Sequence, residues 1–188
     1  MTRAHMFRRI RRTLIVVSCT AVAALGVLPA SAGASPPSPS TPSASGHFAP
    51  YSAGGVTPLA ESGNIVAGSC TYRQAIDNPH ISSTAPAAAS VHGWWLAVAG
   101  TCPSMANVDV ALQGYWCDSF GCQWITVATD TSDVFAGGGS GNRTTARRPC
   151  SSTARLVGWR GLVDVDLIGV VDPSGITPST IVNLMCVP

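Results

Sequence analysis

The sequence predicts an all-β fold: a single antiparallel β-sandwich (immunoglobulin-like) or a small barrel, stabilised by disulfides. Three observations carry that expectation. Apolar residues recur at every second position in several segments, and no stretch keeps a long 3.6-residue period. Clusters of Gly, Pro, Ser and Asp punctuate those segments, as turns do between antiparallel strands. Beyond the N-terminal region stand Cys70, Cys102, Cys117, Cys122, Cys150 and Cys186, an even number suited to three disulfides in an exported chain.

Export is read from the N-terminus. Arg3, Arg8, Arg9, Arg11 and Arg12 form a positive leader, Thr13 to Ala30 is almost wholly apolar, and small residues follow. That order is the pattern of a secretory signal peptide, placed at residues 1–34 with cleavage after Ala32 or Ala34. Arg11-Arg12-Thr13-Leu14-Ile15 also fits a relaxed twin-arginine signal, so the export route stays open. The apolar run falls short of the roughly 20 residues a spanning helix needs, and no membrane span is expected after cleavage. The expected location is secreted, extracellular.

Removing the leader reverses the charge. Five of the eleven arginines leave while all nine acidic residues stay, for a net charge of −3 in a lysine-free chain. Nucleic-acid binding needs a basic patch to neutralise phosphates, so no nucleic-acid partner is expected. Residues 35–55 (SPPSPSTPSASGHFAPYSAGG) are rich in Pro, Ser, Ala and Gly, and read as an extended, disordered linker. Residues 56–188 then form one domain, large enough to hold a core without help from disulfides.

Within that domain the strands are expected at Asn64–Arg73, Val91–Thr101, Val108–Cys117, Cys122–Thr129, Arg155–Asp166 and Thr180–Cys186. Adjacent Trp94 and Trp95 must point to opposite faces of their strand. Trp94 is the expected core residue, because Leu96 and Val98 share its face. In the late segment Val157, Trp159, Gly161, Val163, Val165 and Leu167 form the buried series, while Arg160, Asp164 and Asp166 face water.

The clearest local signal is NVDVALQGYWCDSFGCQWITVATD, residues 107–130. It reads as a hairpin pinned at its turn by Cys117–Cys122. If those cysteines face each other, Tyr115 faces Trp124 and Gln113 faces Thr126 on an outer side. Gly114 with Ile125 and Leu112 with Val127 lie on the inner side, and a one-residue slip would exchange the faces. Of the remaining cysteines, Cys70–Cys102 and Cys150–Cys186 are the expected pairs, since neighbouring strands usually pair.

Catalytic patterns are absent from the sequence. Ser140 in AGGGSGN lacks the glycine that a G-x-S-x-G elbow would place at Asn142. Gly137–Gly141 reads as a flexible loop, and no phosphate-binding glycine pattern occurs. His80 and His92 read as a loop residue and a strand-edge residue. No C-x2-C pair and no histidine at ligand spacing is present, so no metal and no cofactor is expected. Asp164, Asp166 and Asp172 read as solvated carboxylates, and Arg143, Arg147 and Arg148 as a solvated loop. The functional lead is aromatic: Tyr115, Trp124 and Trp95 are expected on outer strand faces, where rings make strong contacts with partners and stack on sugars.

Residues 70–188 resemble small exported β-rich proteins of actinobacteria without an assigned activity, through YWCDSFGCQWITVAT, GGGSGNRTTAR and GWRGLVDVDLIGVVDPSG. The resemblance implies secretion and a β fold. The C-x4-C hairpin is faintly similar to one in the neocarzinostatin apoprotein family, and no chromophore binding is carried over. The expected function is a non-catalytic extracellular β domain in a binding or structural role. The alternative is a carbohydrate- or cell-wall-binding module that uses the outer aromatics. Expected partners are a polysaccharide, the cell wall or another extracellular protein. A hydrolase whose residues converge only in three dimensions is a third expectation.

Overall fold

The computed structural model describes residues 35–42, 45–52 and 60–188. The leader expected at residues 1–34 lies outside them, as do residues 43–44 and 53–59 around the expected linker boundary. Twelve strands occur among the described residues, and no helix. In chain order they are β1 (His47–Phe48), β2 (Ala60–Glu61), β3 (Ile65–Ala67), β4 (Cys70–Ile76), β5 (His80–Ile81) and β6 (Ala88–Gly100). There follow β7 (Met105–Asp118), β8 (Gly121–Phe135), β9 (Thr144–Pro149), β10 (Val157–Leu167), β11 (Thr177–Pro178) and β12 (Val182–Leu184). No helix among the described residues is long and apolar enough to cross a membrane.

The strands form two antiparallel sheets. The first is built on β7, which β8 pairs along its whole length. On the other edge of β7 lie β10 and the short β1, and β11 and β12 flank β10 beyond. The second is built on β6, with β9 on one edge and β4 and β5 on the other; β2 and β3 pair with β4. The all-β, disulfide-stabilised expectation is met.

Alternation on the spine strands explains why the sheets face each other. Val108, Val110 and Leu112 on β7 and Val157, Trp159, Val163, Val165 and Leu167 on β10 are all buried. Val91 and Trp95 on β6 and Tyr72 and Ile76 on β4 oppose them in one core. Burying such side chains contributes about 1.5–3 kcal/mol each. Two glycines permit the close approach. A Cβ on Gly93 of β6 would lie 2.6 Å from Val110 and 2.7 Å from Val163. One on Gly161 of β10 would meet Val91 and Ile76 just as closely.

All three disulfides join the expected partners. Cys70–Cys102, Cys117–Cys122 and Cys150–Cys186 have S–S distances of 2.10, 2.00 and 2.01 Å. The last ties the end of β9, in the second sheet, to the segment after β12, in the first.

Several local expectations are corrected. Trp95, not Trp94, is the core tryptophan: it is fully buried and its Nε1 donates to Val134 O at 3.0 Å. It shares its face with Val91 and Gly93 at the centre of the sheet, whereas Leu96 is half-buried and Val98 exposed near the strand's end. The segment expected as one strand from Asn64 to Arg73 is a hairpin, folded at Gly68-Ser69 with Gly68 at φ +57°. In the β7–β8 ladder a bulge follows Leu112, so that residue faces Ala128, and Val127 is the extra one. Of the arginines expected on a solvated loop, Arg143 lies outside any strand, but Arg147 and Arg148 lie on β9, and Arg147 Nη2 donates to Thr84 O and Pro86 O.

The N-terminal segment also differs from a free linker. Phe48 is buried, and β1 pairs with Trp116 and Cys117. Ala49 N donates to Tyr115 O and Gly158 N donates to Ala49 O, while Ser40 N donates to Thr126 O. Proline-rich composition predicts extension; extended chain is also what a sheet edge accepts as a partner.

Candidate functional site

Two side-chain constellations carry chemistry. The first stands on the outer face of the first sheet, where the register of the β7–β8 hairpin places Tyr115 directly opposite Trp124. Their ring centroids are 5.0 Å apart at 49°. Tyr51, from the chain just after β1, completes the cluster. It meets Tyr115 edge to face at 5.0 Å and Trp124 at 5.5 Å. Its backbone is clamped by Asn183, whose Oδ1 accepts from Tyr51 N and whose Nδ2 donates to Tyr51 O. Glycine is required at position 158 for this docking, since a Cβ there would lie 2.7 Å from Tyr51 Cβ.

Arg160 of β10 binds the cluster to the sheet. Its guanidinium carbon lies 4.6 Å from the Trp124 ring centroid, within cation–π range. Arg160 Nε donates to Gln113 Oε1 at 2.8 Å, and Gln113 Nε2 donates to Thr126 Oγ1 at 2.9 Å. Partial burial lowers the Arg160 pKa below the usual arginine value, against an opposing effect of Tyr51. Tyr51, Tyr115, Trp124 and Arg160 are all half-buried, so each keeps some surface toward solvent. The structure thus brings Tyr115 and Trp124 together as expected, but excludes Trp95, which is buried within the other sheet's inner face. Sequence reading missed Tyr51, because a lone tyrosine in a proline-rich stretch carries no period that would dock it.

The second constellation lies at the end of β4 and on β5 and β6. His92 is interior to β6 and His80 opens β5, so neither holds the position expected of it. His80 pairs with Ser90, two residues from His92, which puts both rings on one face. The rings stack with centroids 5.1 Å apart at 27°. Asp77 follows β4 and accepts twice from His92: at Oδ1 from the backbone N and at Oδ2 from Nδ1, both at 2.6 Å. His80 Nδ1 lies 3.9 Å from the same Oδ2 and 3.0 Å from Asn78 O. His80 is 44% exposed at the side chain and His92 11%. Both line an open groove with Ser90, Thr145, Arg143 and Arg147. An acid–histidine pair therefore exists in the fold, and Asp77 was not legible as its member from spacing alone.

The acidic residues of the VDVD stretch are not all solvated. Asp164 is 2% exposed, and its Oδ2 has no hydrogen-bond partner. Burial, then the neighbouring Asp166, raises its pKa to about 7, against a backbone hydrogen bond from Val165 that favours the charged form. Asp109 lies opposite it in register on β7. Asp172 accepts from the buried Tyr72 hydroxyl at 2.8 Å. Burial foremost, with that contact, keeps the phenol protonated far above its ordinary range.

Comparison of the chain with protein-family models, with curated proteins and with solved structures finds no match.

Proposed function

We propose that this chain is an exported β domain that acts by binding, and that its contact face is the Tyr51–Tyr115–Trp124–Arg160 cluster. A polysaccharide of the cell wall or extracellular matrix is the ligand class. The observation that carries this reading is the meeting of three half-exposed aromatic rings and one guanidinium on a single sheet face. Sugars present apolar C–H faces to rings and hydroxyls to fixed polar groups. Half-exposed aromatics fastened to a sheet supply contact area at small conformational cost. Guanidinium supplies donors in a rigid fork, of which Gln113 takes the Nε–H.

Three further features support export. The leader has the charged, apolar and small-residue order of a signal peptide. All six cysteines beyond it are paired, which suits an oxidising compartment. The resemblance to small exported actinobacterial proteins points the same way.

Retention on insoluble peptidoglycan, chitin and cellulose tests the reading. The expected result is retention on one of them, reduced at least tenfold by Trp124→Ala and by Tyr115→Ala. Retention on none, or equal retention of both variants in folded form, overturns the polysaccharide assignment and leaves a protein partner or an envelope role as the reading to pursue.

A further inference from the structure

The Asp77–His80–His92 cluster belongs to neither the aromatic face nor the packing core, and its donor set is specific. We propose that it is a binding site for a divalent first-row transition ion, with zinc as the ion of best fit. One carboxylate oxygen of Asp77 and one ring nitrogen from each histidine all lie within 4.8 Å of one another. In a tetrahedral zinc site, metal–ligand bonds of about 2.0–2.2 Å put neighbouring donors about 3.4 Å apart. The distances from Asp77 Oδ2, 2.6 Å to His92 Nδ1 and 3.9 Å to His80 Nδ1, fall on either side of that spacing. Movements of an ångström or less bring both to it. The half-exposed His80 ring, carried on a two-residue strand, is free to make the smaller one, and Asp77, just past the end of β4, the larger.

The surrounding contacts hold the donors as an outer shell does in metal sites. His92 N–H fixes Asp77 Oδ1, which aims Oδ2 at the two rings. Asp77 N in turn donates to His92 O, so the carboxylate and the imidazole come from backbone segments already tied together. Pro79, buried between Asn78 and His80, stiffens the three-residue connection. On the same connection Asn78 Oδ1 is buried without a hydrogen-bond partner. That acceptor costs the fold stability and gains a partner if metal-bound water is placed beside it.

Donor type selects the ion. Two imidazoles and one carboxylate suit zinc, copper(II) or iron(II), whereas calcium and magnesium prefer oxygen donors throughout. Three protein ligands leave a fourth position, and the groove containing Ser90, Thr145 and Arg143 is where it opens. Zinc sites with an open position bind a water or an incoming anion there. On binding, the hydrogen on His92 Nδ1 moves to Nε2 or is released to solvent, because the imidazole must ligate through a lone pair.

Competition against a chromophoric zinc chelator, with the untagged full chain, tests the site. The expected result is one zinc bound per chain, with affinity lowered at least 100-fold by His92→Ala and at least 10-fold by His80→Ala. Calcium at the same concentration leaves the chelator signal unchanged. Cobalt(II) loading gives d–d absorption of four-coordinate intensity, which either substitution removes. Because His92→Ala also removes the part-buried hydrogen bond to Asp77 at the end of β4, the partly exposed His80→Ala variant is the deciding one. No stoichiometric zinc uptake, or uptake unchanged in folded His80→Ala protein, overturns the proposal.

Discussion

Val91 occupies the space that Gly161 leaves open in the opposing sheet: a Cβ at position 161 would lie 2.6 Å from Val91 Cγ2. The same Cβ would lie 2.7 Å from Ile76 Cδ1, so two fully buried residues of the second sheet stand in its way. Gly161→Ala is expected to destabilise the fold by about 1–3 kcal/mol, the usual range for overpacking a tight core. Urea denaturation reads this as a lower midpoint at unchanged slope. Adding Val91→Ala relieves one of the two collisions, so the double variant is expected to lose less than the two single losses added.

The buried Asp164 makes stability depend on pH in an unusual direction. Its carboxyl titrates near 3.8 in the unfolded chain and at about 7 in the fold. Between those values the folded state holds the proton that the unfolded state has released, so stability falls as pH rises from about 4 to about 7. Asp166 shifts the same way, through burial and then Asp172 and Asp109. Asp164→Asn is expected to flatten this descent. It gains on the order of 2 kcal/mol over the native chain at pH 7, by the pKa-to-energy relation discounted for solvent, and little near pH 4. Thermal denaturation of both chains at pH 4, 5.5 and 7 gives the comparison; a native midpoint that rises across the window would refute the burial argument.

What the sequence disclosed follows from what period and covalency can encode. The β10 alternation was legible because Val157, Trp159, Val163, Val165 and Leu167 hold one phase without interruption. Near the turn, the cystine fixed Tyr115 opposite Trp124. Beyond it, the bulge after Leu112 broke the count, since an inserted residue changes phase without changing composition. Trp94 has the larger companions by composition, but Leu96 and Val98 lie toward the end of β6, where burial falls off. Phasing Trp95 with Val91 toward the strand's centre gives the observed face. Asp77, His80 and His92 came together only through the pairing of β4, β5 and β6, which no local pattern specifies. Tyr51 and Phe48 were hidden for the opposite reason, their composition being that of a linker.

Loop length ranks the disulfides. Cys117–Cys122 closes a short loop, sequence separation 5, and Cys150–Cys186 a long one, separation 36. Chain-entropy reasoning assigns about 2 kcal/mol to the first and about 4 to the second. The Cys150→Ser/Cys186→Ser pair is therefore expected to lower the urea midpoint more than Cys117→Ser/Cys122→Ser does. The shorter bridge has a separate consequence, because it sits at the end of the ladder that carries Tyr115 and Trp124. Its loss is expected to change Trp124 fluorescence in the native baseline while most of the stability remains.

The N-terminal strand gives the last prediction. Phe48 packs edge to face on Trp116 with centroids 4.9 Å apart, and Gly114 leaves room for its ring. Both aromatic residues are nearly buried, at 7% and 8% exposure, so β1 covers apolar surface that would otherwise meet water. Phe48→Ala is expected to cost about 3–4 kcal/mol, the lower part of the range for deleting a core phenylalanine because the site lies at the sheet's edge. A linker would give no measurable change. The same substitution loosens the route by which Tyr51 reaches Tyr115, since Ala49, between Phe48 and Tyr51 in sequence, donates its N–H to Tyr115 O. Urea denaturation checks the stability, and retention on the polysaccharide that binds the native chain checks the face. The expected outcome is a loss in both, with Tyr51→Ala reducing retention while leaving the urea midpoint closer to native.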